Sequence, residues 1–193
     1  MKRIWLVALA LAMSTGAAGV GAANLLVNPD FNTDLGGWGT TNASQGTTTF
    51  DGTAGSPAAG SVLLSGVACC TVQVSQCVPV TAGQSYDFGA NLIEGPTAPG
   101  QSGDGTGVDL HWYTDAACAT AYISQNVLQP AISSTWARYG QGSVVAPAGA
   151  QSVWFRIYQY NFKGLANLTS HADHAFFGPS GTVPVELQSF SID

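Results

Sequence analysis

The chain has 193 residues, only 8% of them charged, with 11 acidic side chains against 5 lysines and arginines and a formal net charge of −6. An acidic surface of this kind repels phosphate backbones and argues against nucleic acid as a partner. Its 24 glycines, abundant Thr, Ser, Val and Ala, and lack of any run of helix formers argue against a helical bundle and predict an all-β domain.

In chain order, Lys2 and Arg3 precede a short apolar run over 4–13 and small residues over 16–23. That order predicts a signal peptide over 1–23, cleaved before Asn24. The run is about ten residues, where a bilayer needs about twenty, so no membrane span is expected. The predicted location is therefore extracellular or periplasmic. Cleavage leaves Arg138, Arg156 and Lys163 as fixed cations and moves the net charge to about −8. The remaining length, about 170 residues, suits one domain with its own core.

Short β-like runs then follow at 25–27, 47–50, 61–64, 71–74, 85–92, 108–113, 136–145, 152–160, 175–177 and 186–192, separated by turn-forming clusters. This spacing suits a β-sandwich. The longest connector, EGPTAPGQSGDGTG at 94–107, is predicted to be a surface loop because its Pro and Gly content stops both helix and sheet. The segment 182–193 reads as a final edge strand or tail.

Four cysteines, Cys69, Cys70, Cys77 and Cys118, in an exported chain predict two disulfides. Three pairings are open. The side chains of adjacent Cys69 and Cys70 diverge on an extended backbone, which favours Cys70 with Cys77 and Cys69 with Cys118.

Three strands carry chemistry, because period-two alternation separates their faces. In 86–92, Tyr86, Phe88, Ala90 and Leu92 form an apolar face and Asp87, Gly89 and Asn91 a polar one. In 108–113 the core face is Val108, Leu110 and Trp112, and the other carries Asp109, His111 and Tyr113. In 153–160, Val153, Phe155 and Ile157 oppose Trp154, Arg156, Tyr158 and Tyr160. Were the three strands in one sheet, their second faces would together present aromatic rings beside carboxylates, an amide, an imidazole and a guanidinium. Sugars need this combination: a pyranose packs its C–H face on Trp or Tyr, and its hydroxyls bond planar polar groups. The alternative is that these aromatics pack beneath a loop or against a neighbour.

Catalytic chemistry finds little footing. His171 and His174 flank Asp173, but that spacing on a strand or loop does not converge two rings on a metal. No nucleophile elbow is present. Asp87 and Asp109 are acid–base candidates only if the fold brings them together.

Four segments, NLLVNPDFNTDLGGW at 24–38, VPVTAGQSYDFGANL at 78–92, TWARYGQGSVVAPAGAQSVWFRIY at 135–158 and HADHAFFG at 171–178, resemble in order and spacing the carbohydrate-binding modules of the family 4, 9 and 22 type. The resemblance implies a jelly-roll β-sandwich of two antiparallel sheets over 24–181 that binds a polysaccharide or glycan without turnover. Trp154, Tyr158 and Tyr160 would stack on sugar rings, with Arg156, Asp109, His111, Tyr113, Asn91 and Asp87 as polar or flanking contacts. It also implies a structural calcium ion held by Asn28, Asp30 and Asp173, although Asn32 and His174 stand where the family usually carries acidic residues. The competing expectation is a structural or adhesive protein of an envelope or matrix, with the same fold and no sugar site.

Overall fold

The computed structural model describes residues 24–40, 44, 46–67, 71–95, 105–161 and 168–182. The predicted signal peptide, Cys69, Cys70, Lys163, the middle of the 94–107 loop and the expected strand at 186–192 lie outside the described residues. The described residues form ten strands and no helix: β1 Gly39–Thr40, β2 Gly46–Asp51, β3 Ser61–Gly66, β4 Thr71–Pro79, β5 Ser85–Glu94, β6 Gly105–Tyr113, β7 Tyr122–Leu128, β8 Ala137–Val145, β9 Ser152–Tyr160 and β10 Thr169–Pro179. They pair antiparallel into two five-stranded sheets, β1-β4-β9-β6-β7 and β2-β3-β10-β5-β8, and so build a jelly-roll sandwich.

The alternation read in the sequence sets the core. Val72 and Val74 of β4, Leu110 and Trp112 of β6, and Phe155 and Ile157 of β9 point inward from the first sheet and are fully buried. They meet Leu64 of β3, Phe88 and Leu92 of β5, and Phe177 of β10 from the second. Tyr86 stacks on Phe177 with ring centroids 4.9 Å apart, and the Trp112 indole donates to Asn126 Oδ1 at 2.7 Å, which satisfies its one polar atom inside the core.

Several elements differ from expectation: β1 is unanticipated, and residues 94 and 105–107 of the expected 94–107 loop belong to strands β5 and β6. Residues 25–27 form no strand, although the Leu25 amide bonds the Phe177 carbonyl at 2.8 Å. β7 is an unanticipated strand, because Gln125 and Asn126 interrupt its apolar pattern and its outer side faces water. β10 runs well beyond 175–177, since His171 and Asp173 point outward while Ala172 fills the core, and a register shift between Asp173 and Phe176 breaks the alternation.

The disulfide also departs from the favoured pairing. Cys77 bonds Cys118, not Cys70. Cys77 projects from the outer side of β4 opposite Trp154, and the 114–121 loop folds back over β9 to reach it. There Ser152 Oγ donates to the Asp115 carbonyl at 2.5 Å and lies 3.2 Å from Cys118 Sγ. The loop is held tight by the Asp115 carboxylate, which accepts from the Ala117 amide at 2.8 Å and Thr120 Oγ1 at 2.6 Å. Thr120 first, with the neighbouring amides, keeps that carboxyl well below the usual range despite its desolvation. Sequence spacing cannot show such a fold-back, and the Cys77–Cys118 bond excludes both favoured pairs, Cys70 with Cys77 and Cys69 with Cys118.

Candidate functional site

β6 and β9 are neighbours, and their register sets His111 opposite Trp154, Asp109 opposite Arg156, Gly107 opposite Tyr158 and Gly105 opposite Tyr160. The inward residues of both strands occupy the core, so these eight positions lie on the outer side together. The alternation predicts this for Asp109, His111, Trp154, Arg156, Tyr158 and Tyr160, and not for Gly105 and Gly107, which are expected in a loop. β4 adds Gln73 and Ser75 on one side. β7 adds Gln125 and Val127 on the other.

Arg156 is the hub of this face. Its Nε donates to Asp109 Oδ1 at 2.7 Å and its Nη2 to Asp109 Oδ2, a bidentate pair. Nη1 donates to Gln73 Oε1 at 3.0 Å, and Nη2 lies 3.1 Å from His111 Nε2. The guanidinium also sits 5.1 Å from the Trp154 ring centroid and 5.7 Å from that of Tyr158. Burial alone would lower its pKa, but the hydrogen bonds and charge of Asp109 outweigh this and raise it. The cation is thus fixed in place and charged.

The rings differ in access. Tyr122 is 50% exposed and packs on His111 at 4.6 Å, and Trp154 meets the other side of His111 edge-on at 6.0 Å. Trp154, Arg156 and Tyr160 are half-buried. Tyr113 is buried beside Tyr122, and burial pushes its hydroxyl above the ordinary tyrosine range.

Four expected contacts are placed otherwise. Tyr158 is 0% exposed: its hydroxyl lies across Gly107, where an added Cβ would come within 2.6 Å of it, so it forms part of the floor and offers no stacking surface. Burial, then the Asp109 charge, pushes that hydroxyl above its usual range. Asp109, 2% exposed, is spent on Arg156 and acts by positioning it. Asn91 and Asp87 sit on β5 in the opposite sheet, because the chain passes from one sheet to the other between β5 and β6. There Asn91 Nδ2 donates to the Ser56 carbonyl at 2.8 Å. Asp87 ties loops together, accepting from the Ser143 amide, Ser180 Oγ and the Gly181 amide at 2.8, 2.7 and 3.0 Å. Those bonds overcome its desolvation and hold its carboxyl below the usual range. Tyr122, Gln73 and Ser75 were missed: Tyr122 heads an irregular strand, and the other two look like ordinary solvent-facing residues until β4 is placed beside β9.

The predicted metal ligands split into two groups. The Asn28 amide is turned into its own bend, donating to the Asp34 and Gly36 carbonyls at 2.9 and 3.3 Å. Asp30 and Asp173 do come together with His174, beside a cavity of about 200 Å³ also lined by Asn32, Pro57 and Ala58. Here His174 Nδ1 bonds Asp30 Oδ1 at 2.6 Å, while Asp173 accepts the Ser56 and His174 amides at 2.7 and 2.6 Å. Two carboxylates already bonded to N–H donors, Asp30 to a ring nitrogen and Asp173 to two backbone amides, do not match the cage of six to eight oxygens that calcium takes. Desolvation, countered only partly by those amides, pushes the Asp173 carboxyl up to about 6.

No protein-family model and no curated protein sequence matches the chain. Solved structures match its fold. The enzymatically active domain of Bacteriophage CBA120 tailspike protein 4 superposes with a TM-score of 0.60 at 12% identity, over 81% of this chain and 21% of that one. A family 61 carbohydrate-binding module solved with β-1,4-galactotriose gives 0.56 at 13%, over 82% of this chain and 99% of that one. The C-terminal family 22 carbohydrate-binding module of Clostridium thermocellum Xyn10B gives 0.56 at 14%, over 81% and 94%. The fold is therefore that of the carbohydrate-binding-module jelly roll.

Proposed function

We infer that the protein is a secreted, non-catalytic carbohydrate-binding protein that holds a polysaccharide or glycan on the outer face of the first sheet. The observation that carries this is the Tyr122–His111–Trp154 row beside a guanidinium fixed by Asp109 and Gln73. Half-exposed Tyr122 and half-buried Trp154 supply apolar stacking for a pyranose, and the guanidinium bonded to Asp109 and Gln73 supplies a cation already held in place before a ligand arrives. The neighbouring folds solved with galactotriose or named as carbohydrate-binding modules support the same reading. Non-catalytic action accords with Asp87 and Asp109 lying on opposite sheets and with Asp109 being locked to Arg156, which leaves neither an acid–base pair. Export accords with the Cys77–Cys118 disulfide.

A glycan array followed by pull-down on insoluble polysaccharides tests the reading. Binding that Trp154→Ala and Tyr122→Ala each weaken supports it; a folded protein that retains no glycan contradicts it. The complete burial of Tyr158 favours the second reading, a structural or adhesive protein, since part of the predicted stacking surface is closed. Self-assembly without glycan binding would select that reading.

A further inference from the structure

The outer faces of the two sheets carry constellations of the same composition. On the first, His111 and Trp154 lie 6.0 Å apart and the Asp109 carboxylate is 3.5 Å from the imidazole. On the second, His171 and Trp136 lie 6.3 Å apart and Asp51 Oδ2 is 3.1 Å from His171 Nε2. The second set follows from register. His171 turns outward between buried Ser170 and Ala172, and pairs with Leu63 on one side and Ile93 on the other. Trp136 is one residue beyond the Leu92–Ala137 pair, which sets it next to Ile93. The row across the sheet therefore reads Leu63, His171, Ile93, Trp136.

Its carboxylate and imidazole are held before any ligand arrives. Asp51 accepts Thr53 Oγ1 and the Thr53 amide at 2.7 and 2.8 Å, and these bonds, Thr53 first, hold its carboxyl well below the usual range. The anchored carboxylate orients His171. Beside the row opens a cavity of about 350 Å³, lined by Ile93, Glu94, Gly95, Ser134, Thr169 and His171. Its volume falls within the range of small-ligand sites. An aliphatic floor, two hydroxyls, an oriented imidazole and a half-buried indole close by match the C–H face and hydroxyls of a sugar. The Asp51 charge disfavours uronate or sulfated sugars, so the class is a neutral saccharide.

We propose that this face of the second sheet is a second saccharide site, and that the domain bridges two glycan chains, one on each side of the sandwich. The two outer faces point in opposite directions, so one short chain cannot occupy both. Bridging rests on the first site proposed above; the second site does not.

Titration calorimetry with soluble xylo-, cello-, manno- and laminari-hexasaccharides, combined with agglutination of polysaccharide-coated beads, tests this. The unaltered protein should bind two oligosaccharides, Trp136→Ala or Trp154→Ala one each, and the double variant none. Either single variant should abolish agglutination. Ser134→Arg, at an exposed position, fills the cavity without removing a packed ring and should reproduce Trp136→Ala, with thermal melting confirming the fold. A single equivalent bound by the unaltered protein, with Trp136→Ala and Ser134→Arg unchanged, overturns the second site. Loss of all binding in Trp154→Ala overturns it too. Binding retained in Trp154→Ala but lost in Trp136→Ala upholds the second site and overturns the first, and no hexasaccharide bound at all overturns both.

Discussion

The outer faces of the two sheets use the same residue types under different constraints. On the first, Asp109 is almost fully buried and bonded to a partly buried Arg156, so its carboxylate is part of the scaffold. On the second, Asp51 stands at a strand end and is held by a threonine and an amide, with only an imidazole as its ring partner. The contrast shows that a polar side chain's neighbours, more than its type, decide whether it is locked into the scaffold or left accessible.

Removing each carboxylate breaks or sharpens that contrast most strongly. Asp109→Ala leaves a partly buried guanidinium without its anion and should cost about 3 kcal/mol of unfolding free energy in urea denaturation. Asp51→Ala, which breaks a solvent-accessible contact, should cost about 1 kcal/mol or less. Equal losses would show that the two faces are built alike.

Trp154→Ala should weaken glycan binding about tenfold or more through lost stacking area, and Tyr122→Ala somewhat less, with thermal melting confirming that each variant is folded. Calorimetry measures both. A larger effect from Tyr122 would move the centre of the site toward β7.

The pH response separates one carboxyl of the second sheet, Asp173, from Asp51 and Asp87 of the same sheet. Asp173, on the outer side of the second sheet, has its carboxyl raised from 3.8 to about 6, so the folded state holds the proton more tightly than the unfolded chain. Its stabilising contribution is complete below pH 3.8 and lost as pH rises through about 6. The melting temperature should fall between pH 4 and pH 7, and Asp173→Asn should flatten that slope. Asp51, Asp87 and Asp115 are shifted downward, so their contributions fade only in more acid solution. Calcium should have the smallest effect. Adding or chelating it should leave the melting temperature within about 1 °C, because the Asp30–His174–Asp173 cluster is already satisfied by N–H donors. A rise of several degrees would contradict that account of the cluster.

Much of this was legible in the sequence. Alternation in 153–160 and 108–113 identified Trp154, Arg156, Asp109 and His111 as sharing the side away from the core, because a strand's period of two survives any sheet order. Sheet membership was not legible: Asn91 and Asp87 show the same alternation but belong to the other sheet, and no local pattern records where a connection crosses. Depth was equally hidden. Tyr158 and Trp154 occupy the same face of one strand, yet only Tyr158 is sealed, because it lies over a glycine on the neighbouring strand. Tyr122 escaped notice because β7 is an edge strand with exposed Ile123 and Val127, which blurs the alternation.

Nitrogen-15 NMR of the tryptophan indoles during titration with a glycan selected on the array tests the central claim most directly. Trp38 and Trp112 are buried between the sheets, whereas Trp154 stands on the outer face of the first. The Trp154 Nε1 resonance should move with saturating ligand while those of Trp38 and Trp112 stay in place. A Trp154 signal unmoved at saturation would show that the glycan binds elsewhere.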